Sequence, residues 1–161
     1  MKRMLVIAVA VLMLIGPVMA QELKKFGLDD ARSIGLQIQS DSTIKAEGSS
    51  SLKITTLWPT TICLGEVSGL NIENAKLIYK AKLKTDLQGS AYLEMWVGVD
   101  GGQYFSRGMN DLVQGKSEWK AVQTPFMFKK GQKPDKVTLN VVINGTGTVW
   151  VDDIVLSKEA L

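Results

Sequence analysis

The segment Lys76-Leu-Ile-Tyr-Lys-Ala-Lys-Leu-Lys84 alternates with period two. Leu77, Tyr79, Ala81 and Leu83 point one way, while Lys76, Lys80, Lys82 and Lys84 point the other. Successive side chains of a β-strand leave on opposite faces, so this pattern is a strand with one apolar and one wet side. The lysine row reads as a solvated face that discourages edge pairing, in preference to an anion-binding strip.

The rest of the chain follows suit. Past the N-terminal stretch, hardly any segment keeps helical periodicity over three turns. Short runs rich in Val, Ile, Thr and aromatics alternate with Gly, Asn, Asp and Pro, the signature of strands and turns. Strands are expected at Leu36–Ser40, Ser51–Leu57, Thr61–Val67, Lys76–Thr85, Tyr92–Val99, Gln103–Arg107, Trp119–Phe128, Lys136–Asn144 and Thr148–Leu156. Glu22–Ala31 has room for one short strand or one helical turn. Asp100-Gly101-Gly102 tolerates positive φ and predicts a hairpin from Val99 to Gln103; Asn144-Gly-Thr-Gly147 predicts another from Ile143 to Thr148. Strands joined by hairpins, without crossover helices, make an all-β antiparallel sandwich or barrel. No repeat, low-complexity tract or long linker divides it.

The N-terminus sets an expected compartment. Lys2 and Arg3 precede an apolar run from Met4 to Ile15, then Gly16-Pro17, then Val18-Met19-Ala20. A basic start, an apolar middle and a small-residue exit are the parts of a secretory signal peptide, here 1–20. The run is shorter than the ~20 residues a spanning helix needs, so no membrane span is expected after cleavage. The expectation is export, to periplasm or medium, of residues 21–161 as a single β-sandwich domain. Cleavage removes Lys2 and Arg3 from the 19 basic residues, against 16 acidic ones. A near-neutral remainder lacks the excess of phosphate contacts that nucleic-acid binding uses. Cys63 is the only cysteine, so no intrachain disulfide forms. It reads as a small buried hydrophobe, the alternative being an intermolecular disulfide or a reactive thiol.

Three stretches carry a resemblance. Glu47-Gly-Ser-Ser-Ser-Leu-Lys-Ile54 resembles the "G-x-S-S-L-x-I" opening strand of jelly-roll carbohydrate-binding modules. Gly145-Thr-Gly-Thr-Val-Trp-Val-Asp-Asp-Ile-Val-Leu156 resembles their closing strand, and Trp119 followed by Thr124-Pro125 the strand before it. These modules belong to the galactose-binding-like superfamily. The resemblance implies a jelly-roll sandwich and makes carbohydrate the expected ligand class, though fold alone does not establish function. It also implies a structural calcium. In such modules a carboxylate of the closing strand often joins an early acidic residue and backbone oxygens around the ion, an oxygen set suited to Ca²⁺. Asp152 or Asp153 would serve, with Glu22, Asp41 or Glu47 as the early partner. The alternative is that one aspartate hydrogen-bonds a loop and the other faces water.

Catalysis has little to work with. The sequence has no histidine, which removes Ser-His and Cys-His pairs and histidine metal ligands. Binding has better material, since sugar faces stack on aromatic rings and hydroxyls need polar neighbours. Between Tyr92 and Val99, the residues Tyr92, Glu94 and Trp96 share one face and Leu93, Met95, Val97 and Val99 the core face. A three-residue turn would return Tyr104 and Ser106 beside Trp96; a two-residue turn would return Phe105 and Arg107. The candidate ligand-binding residues are therefore Trp96, Glu94, Tyr104 and Arg107, with Trp58 as a second exposed aromatic before Pro59. The rival account buries this aromatic group and pairs Arg107 with Glu94. The sequence thus reads as an exported, non-catalytic module binding carbohydrate. The alternative is a structural or protein-interaction domain of the cell envelope with no sugar ligand.

Overall fold

The computed structural model describes residues 21–26 and 38–161; the expected leader and the segment 27–37 lie outside the described residues. Eight strands follow in order: β1 (Gln21–Phe26), β2 (Ile38–Asp41), β3 (Ser51–Thr56), β4 (Thr60–Ser68), β5 (Ala75–Val99), β6 (Gly102–Arg107), β7 (Val113–Phe128) and β8 (Pro134–Ala160). One 3-10 turn, Met109–Asp111, separates β6 from β7. Every strand pair is antiparallel. Among the described residues no helix is long and apolar enough to cross a membrane.

The fold is an all-β jelly-roll sandwich built on two long strands. The first half of β5 pairs with the second half of β8, flanked by β7 on one side and by β1 and β3 on the other, with β2 beyond β3. The second half of β5 pairs with the first half of β8, flanked by β6 and β4. Each long strand therefore belongs to both layers. The inner faces meet in one core that includes Leu77, Tyr79, Leu83, Leu93, Met95, Val97, Leu139, Val141, Val151 and Leu156, all essentially inaccessible. Burying each large aliphatic side chain contributes roughly 1.5–3 kcal/mol. Leu77, Leu83, Leu93, Val97, Leu139, Val141 and Val151 all lie where the alternation places them.

Three local expectations change. Asn144–Gly147 is not a hairpin: Ile143 pairs with Ala91 and Thr148 with Asp86, so β8 runs through this segment and bends between layers. The two bent strands approach so closely that a Cβ on Gly145 would lie 2.1 Å from the Gln88 carbonyl oxygen, and one on Gly89 2.0 Å from that of Asn144. Glycine is needed there for space as well as for φ. The lysine-rich strand is central, not an edge, because β5 has β7 and β8 on its two sides. Its lysines meet carboxylates instead: Lys76 with Glu159 at 2.7 Å, Lys84 with Glu118 at 2.6 Å, and Lys82 with Glu47 and Asp153. Cys63, expected inside, is an exposed free thiol. It pairs with Asn140, and Ile62, opposite Val141, takes the inward position.

Candidate functional site

The outer face of the second layer gathers most of the candidate residues. Residues directly opposite in an antiparallel pair share a face. One row runs Phe105–Trp96–Thr138–Glu66 across β6, β5, β8 and β4; the next runs Arg107–Glu94–Asn140–Cys63. Asp100 and Gly101 alone form the turn, with φ of 52° and 76°, so Val99 meets Gly102 and Trp96 meets Phe105. Two successive residues at positive φ are the geometry that matches strand twist in a two-residue hairpin.

Tyr104 is accordingly displaced from the site. It lies opposite Val97, on the other face of the layer from Trp96. Its ring folds over Gly102, where a Cβ would come within 3.1 Å of it, and borders a small groove with Val99, Phe126 and Gln132. It stays half exposed because β6 is an edge strand. Phe105 takes the place beside Trp96, the ring centroids 5.3 Å apart at an interplanar angle of 46°. The Arg107 guanidinium carbon sits 4.6 Å from the Phe105 ring centroid.

Glu94 organises this group. It is only 5% exposed, although it faces outward. Its Oε1 accepts the Trp96 indole N–H at 2.7 Å and the Asn140 amide at 3.4 Å; its Oε2 accepts the Arg107 Nε–H at 2.7 Å. Burial pushes the carboxyl pKa up, but the hydrogen bonds from Arg107, Trp96 and Asn140 and the Arg107 charge outweigh it, leaving it below the ordinary range. The result is a fixed aromatic pair, Trp96 and Phe105, with a cation stacked at one side. The rival expectation that Arg107 pairs with Glu94 holds, yet burial of the aromatics does not: Phe105 is 51% exposed and Trp96 half-buried. Thr138 and Asn140 were not anticipated. Their signal was the polar alternation within Val137-Thr-Leu-Asn-Val141, but nothing local showed that this strand lies beside Trp96.

Trp58 belongs to another part of the surface. It is 56% exposed in the β3–β4 connection, at the end of the sandwich where the long strands bend.

The calcium expectation meets an unsuitable set of groups. Asp152 Oδ2 accepts the backbone N–H groups of Ala46 at 2.7 Å and Glu47 at 3.0 Å, and Oδ1 accepts that of Asp153 at 2.7 Å. Asp153 pairs with Lys25 at 3.2 Å and Lys82 at 3.3 Å, and Glu47 meets the same two lysines. Calcium requires several oxygens free to turn lone pairs inward. Here donors already face those oxygens and two ammonium groups supply the positive charge, so the residues do not fit the ion. Among the described residues no three acidic, cysteine or histidine side chains form a metal-holding group. Asp152 does hydrogen-bond a loop, and Asp153 faces lysines where open water was the alternative.

No protein-family model and no curated protein matches this sequence. Solved structures do match in fold. A xylan-binding domain of carbohydrate-binding module family 22 superposes with a TM-score of 0.58 at 10% identity, covering 88% of this chain and 97% of that one. The CBM22-1 xylan-binding domain of Paenibacillus barcinonensis Xyn10C gives 0.55 at 12% identity over 89% and 95%. A family 16 carbohydrate-binding module gives 0.56 at 11% identity over 78% and 88%. The chain thus has the β-sandwich jelly-roll fold of carbohydrate-binding modules, as its strand motifs implied.

Proposed function

We propose that this chain is an exported, non-catalytic module that binds carbohydrate on the outer face of the second layer. The observation that carries the reading is the Trp96–Phe105 pair, held in place by a carboxylate that is itself buried and fully hydrogen-bonded. Fixed aromatic faces lose little conformational freedom on binding, and sugar rings present flat C–H faces to them. The outward N–H groups of Arg107 and the side chains of Thr138 and Gln103 supply partners for hydroxyls on the same face. The fold shared with xylan-binding domains supports the ligand class.

The same geometry supports the non-catalytic part of the reading. Glu94 accepts hydrogen bonds on both oxygens, and these hold its pKa below the ordinary carboxylate range, the opposite direction from the raised value a general acid needs. Glu66, further along the face, pairs with Lys136 at 2.6 Å.

The test is retention of the protein on immobilised xylan, β-glucan, mannan and cellulose, with Phe105→Ala beside it. Phe105→Ala removes half of the platform and none of the donors to Glu94, so it should lose retention while still folding. Retention on none of the four would instead favour the structural or protein-interaction domain. Intact mass of protein recovered outside the cytoplasm should show a chain beginning at Gln21; an uncleaved chain in the membrane fraction would refute export.

A further inference from the structure

The end of the sandwich holds a groove distinct from the sheet face. Its volume is about 350 Å³, and Thr55, Leu57, Asp86, Gln88 and Thr146 are among the residues lining it. Those residues come from the end of β3 and the loop after it, and from the bends of β5 and β8. At the bends the two backbones approach closely, at Gly89 and Gly145.

Next to the lining residue Leu57 stands Trp58. Leu57 is 74% and Trp58 56% exposed. Yet the loop that carries them is tied down: the buried Thr56 hydroxyl donates to the Trp58 carbonyl at 2.6 Å and accepts the Trp58 backbone N–H at 3.3 Å. Two adjacent large apolar side chains exposed together on a fixed loop, one of them a tryptophan, form a patch of the kind that binding surfaces use.

The polar groups around it are uncommitted. Among the described residues, the Asp86 carboxylate, the Gln88 amide, the Thr146 hydroxyl and the Trp58 indole N–H have no hydrogen-bonding partner. On the sheet face, by contrast, Glu94, Trp96 and Asn140 bond one another. The groove thus offers a carboxylate, an amide and a hydroxyl beside the exposed side chain of Leu57, and the exposed Trp58 follows Leu57 on the same loop. No basic side chain lines it, so a phosphate or carboxylate ligand would find no countercharge and would meet Asp86. A polyhydroxyl ligand can donate to Asp86 and exchange bonds with Gln88 and Thr146 while its apolar faces cover Leu57, the residue next to Trp58. The volume lies at the small end of the ligand-pocket range, about 300–1,000 Å³.

From these observations we infer that the groove beside Trp58 is a second saccharide site, independent of the Trp96 face. It rests on the reading of the chain as a carbohydrate binder, and it gives that binder two points of attachment on one glycan. Two linked contacts raise overall affinity without any new contact between them.

The experiment follows the indole N–H resonances of the protein, expressed from the full-length chain, during titration with xylohexaose, cellohexaose, mannohexaose and laminarihexaose. Trp58→Phe and Trp96→Phe assign the two signals. Movement of both signals, with Trp58→Ala losing the saccharide-dependent changes at Asp86 and Gln88 but keeping those at Trp96, is the expected result. Movement of Trp96 alone overturns the second site and leaves the sheet face standing. Movement of Trp58 alone keeps the groove and removes the sheet face. If neither signal moves with any hexasaccharide, both are refuted. Because Trp58 is exposed and makes no side-chain hydrogen bond, its replacement leaves the fold intact and the readout interpretable.

Discussion

Replacing Trp96 by phenylalanine isolates one bond. The change keeps an aromatic ring beside Phe105 but deletes the N–H that reaches Glu94 Oε1 at 2.7 Å. That oxygen would keep only the long Asn140 contact of 3.4 Å, while Oε2 keeps Arg107. A hydrogen bond to a charged group contributes about 1.5–3 kcal/mol. Trp96 is half-buried and water can partly replace the donor, so the lower part of that range applies, about 1.5–2 kcal/mol near neutral pH. In a domain of this size each kcal/mol lowers Tm by roughly 4 °C, giving a fall of about 6–8 °C. The pH dependence is the sharper test. The folded Glu94 pKa lies below the ordinary glutamate value of 4.5, so its contribution is present above that value and is lost as pH falls through the folded pKa. Once the carboxyl is protonated, the bond lost in Trp96→Phe is an ordinary neutral one, and the deficit should shrink to about 1 kcal/mol or less. Urea unfolding followed by far-UV circular dichroism, in a series of pH values descending from about 7 through the acid range, follows the deficit as Glu94 titrates. A deficit that stays constant while Glu94 becomes protonated would refute Glu94 as the partner whose charge makes this bond strong.

Other changes test the frame and the closing strand. Gly145→Ala should destabilise by at least about 3 kcal/mol or prevent folding, since its Cβ collides with backbone at positive φ. Gly115→Ala, with open space around it at φ +63°, should cost only about 1–2 kcal/mol in urea unfolding; similar losses at both positions would refute the close approach of the bends. Leu93→Ala, at a core position 1% exposed, should lose about 2–5 kcal/mol, and a neutral result would place β5 the other way round. Thermal melts in excess CaCl₂ and in chelator should coincide, because lysines and backbone donors occupy the oxygens of Asp152, Asp153 and Glu47. A Tm raised by calcium in the parent and not in Asp152→Asn would restore the metal.

What the sequence determined by itself was the facing of its side chains. Period two places Leu77 and Leu83 inside and Lys82 and Lys84 outside, and it separates Met95 and Val97 from Glu94 and Trp96, all as observed. It does so because alternation is a property of a single strand. What only the tertiary structure decided was which strands lie side by side and in what register. Asp100-Gly101-Gly102 allowed two hairpin registers, one bringing Tyr104 to Trp96 and the other Phe105. The outcome turns on Gly102 joining β6, opposite Val99 and beneath the Tyr104 ring. The glycines at 145 and 147 promise a turn when read locally; they make a bend because β5 and β8 pair along nearly their whole lengths, a contact between segments about sixty residues apart. The same long-range pairing set Cys63 on the outer face opposite Asn140 and brought Lys25 and Lys82 to Asp153, where a local reading offered calcium or water. A one-residue slip in any of these ladders would move each side chain to the other face. The candidate site is therefore composed of residues legible in the sequence, held in an arrangement that only the packed sandwich could settle.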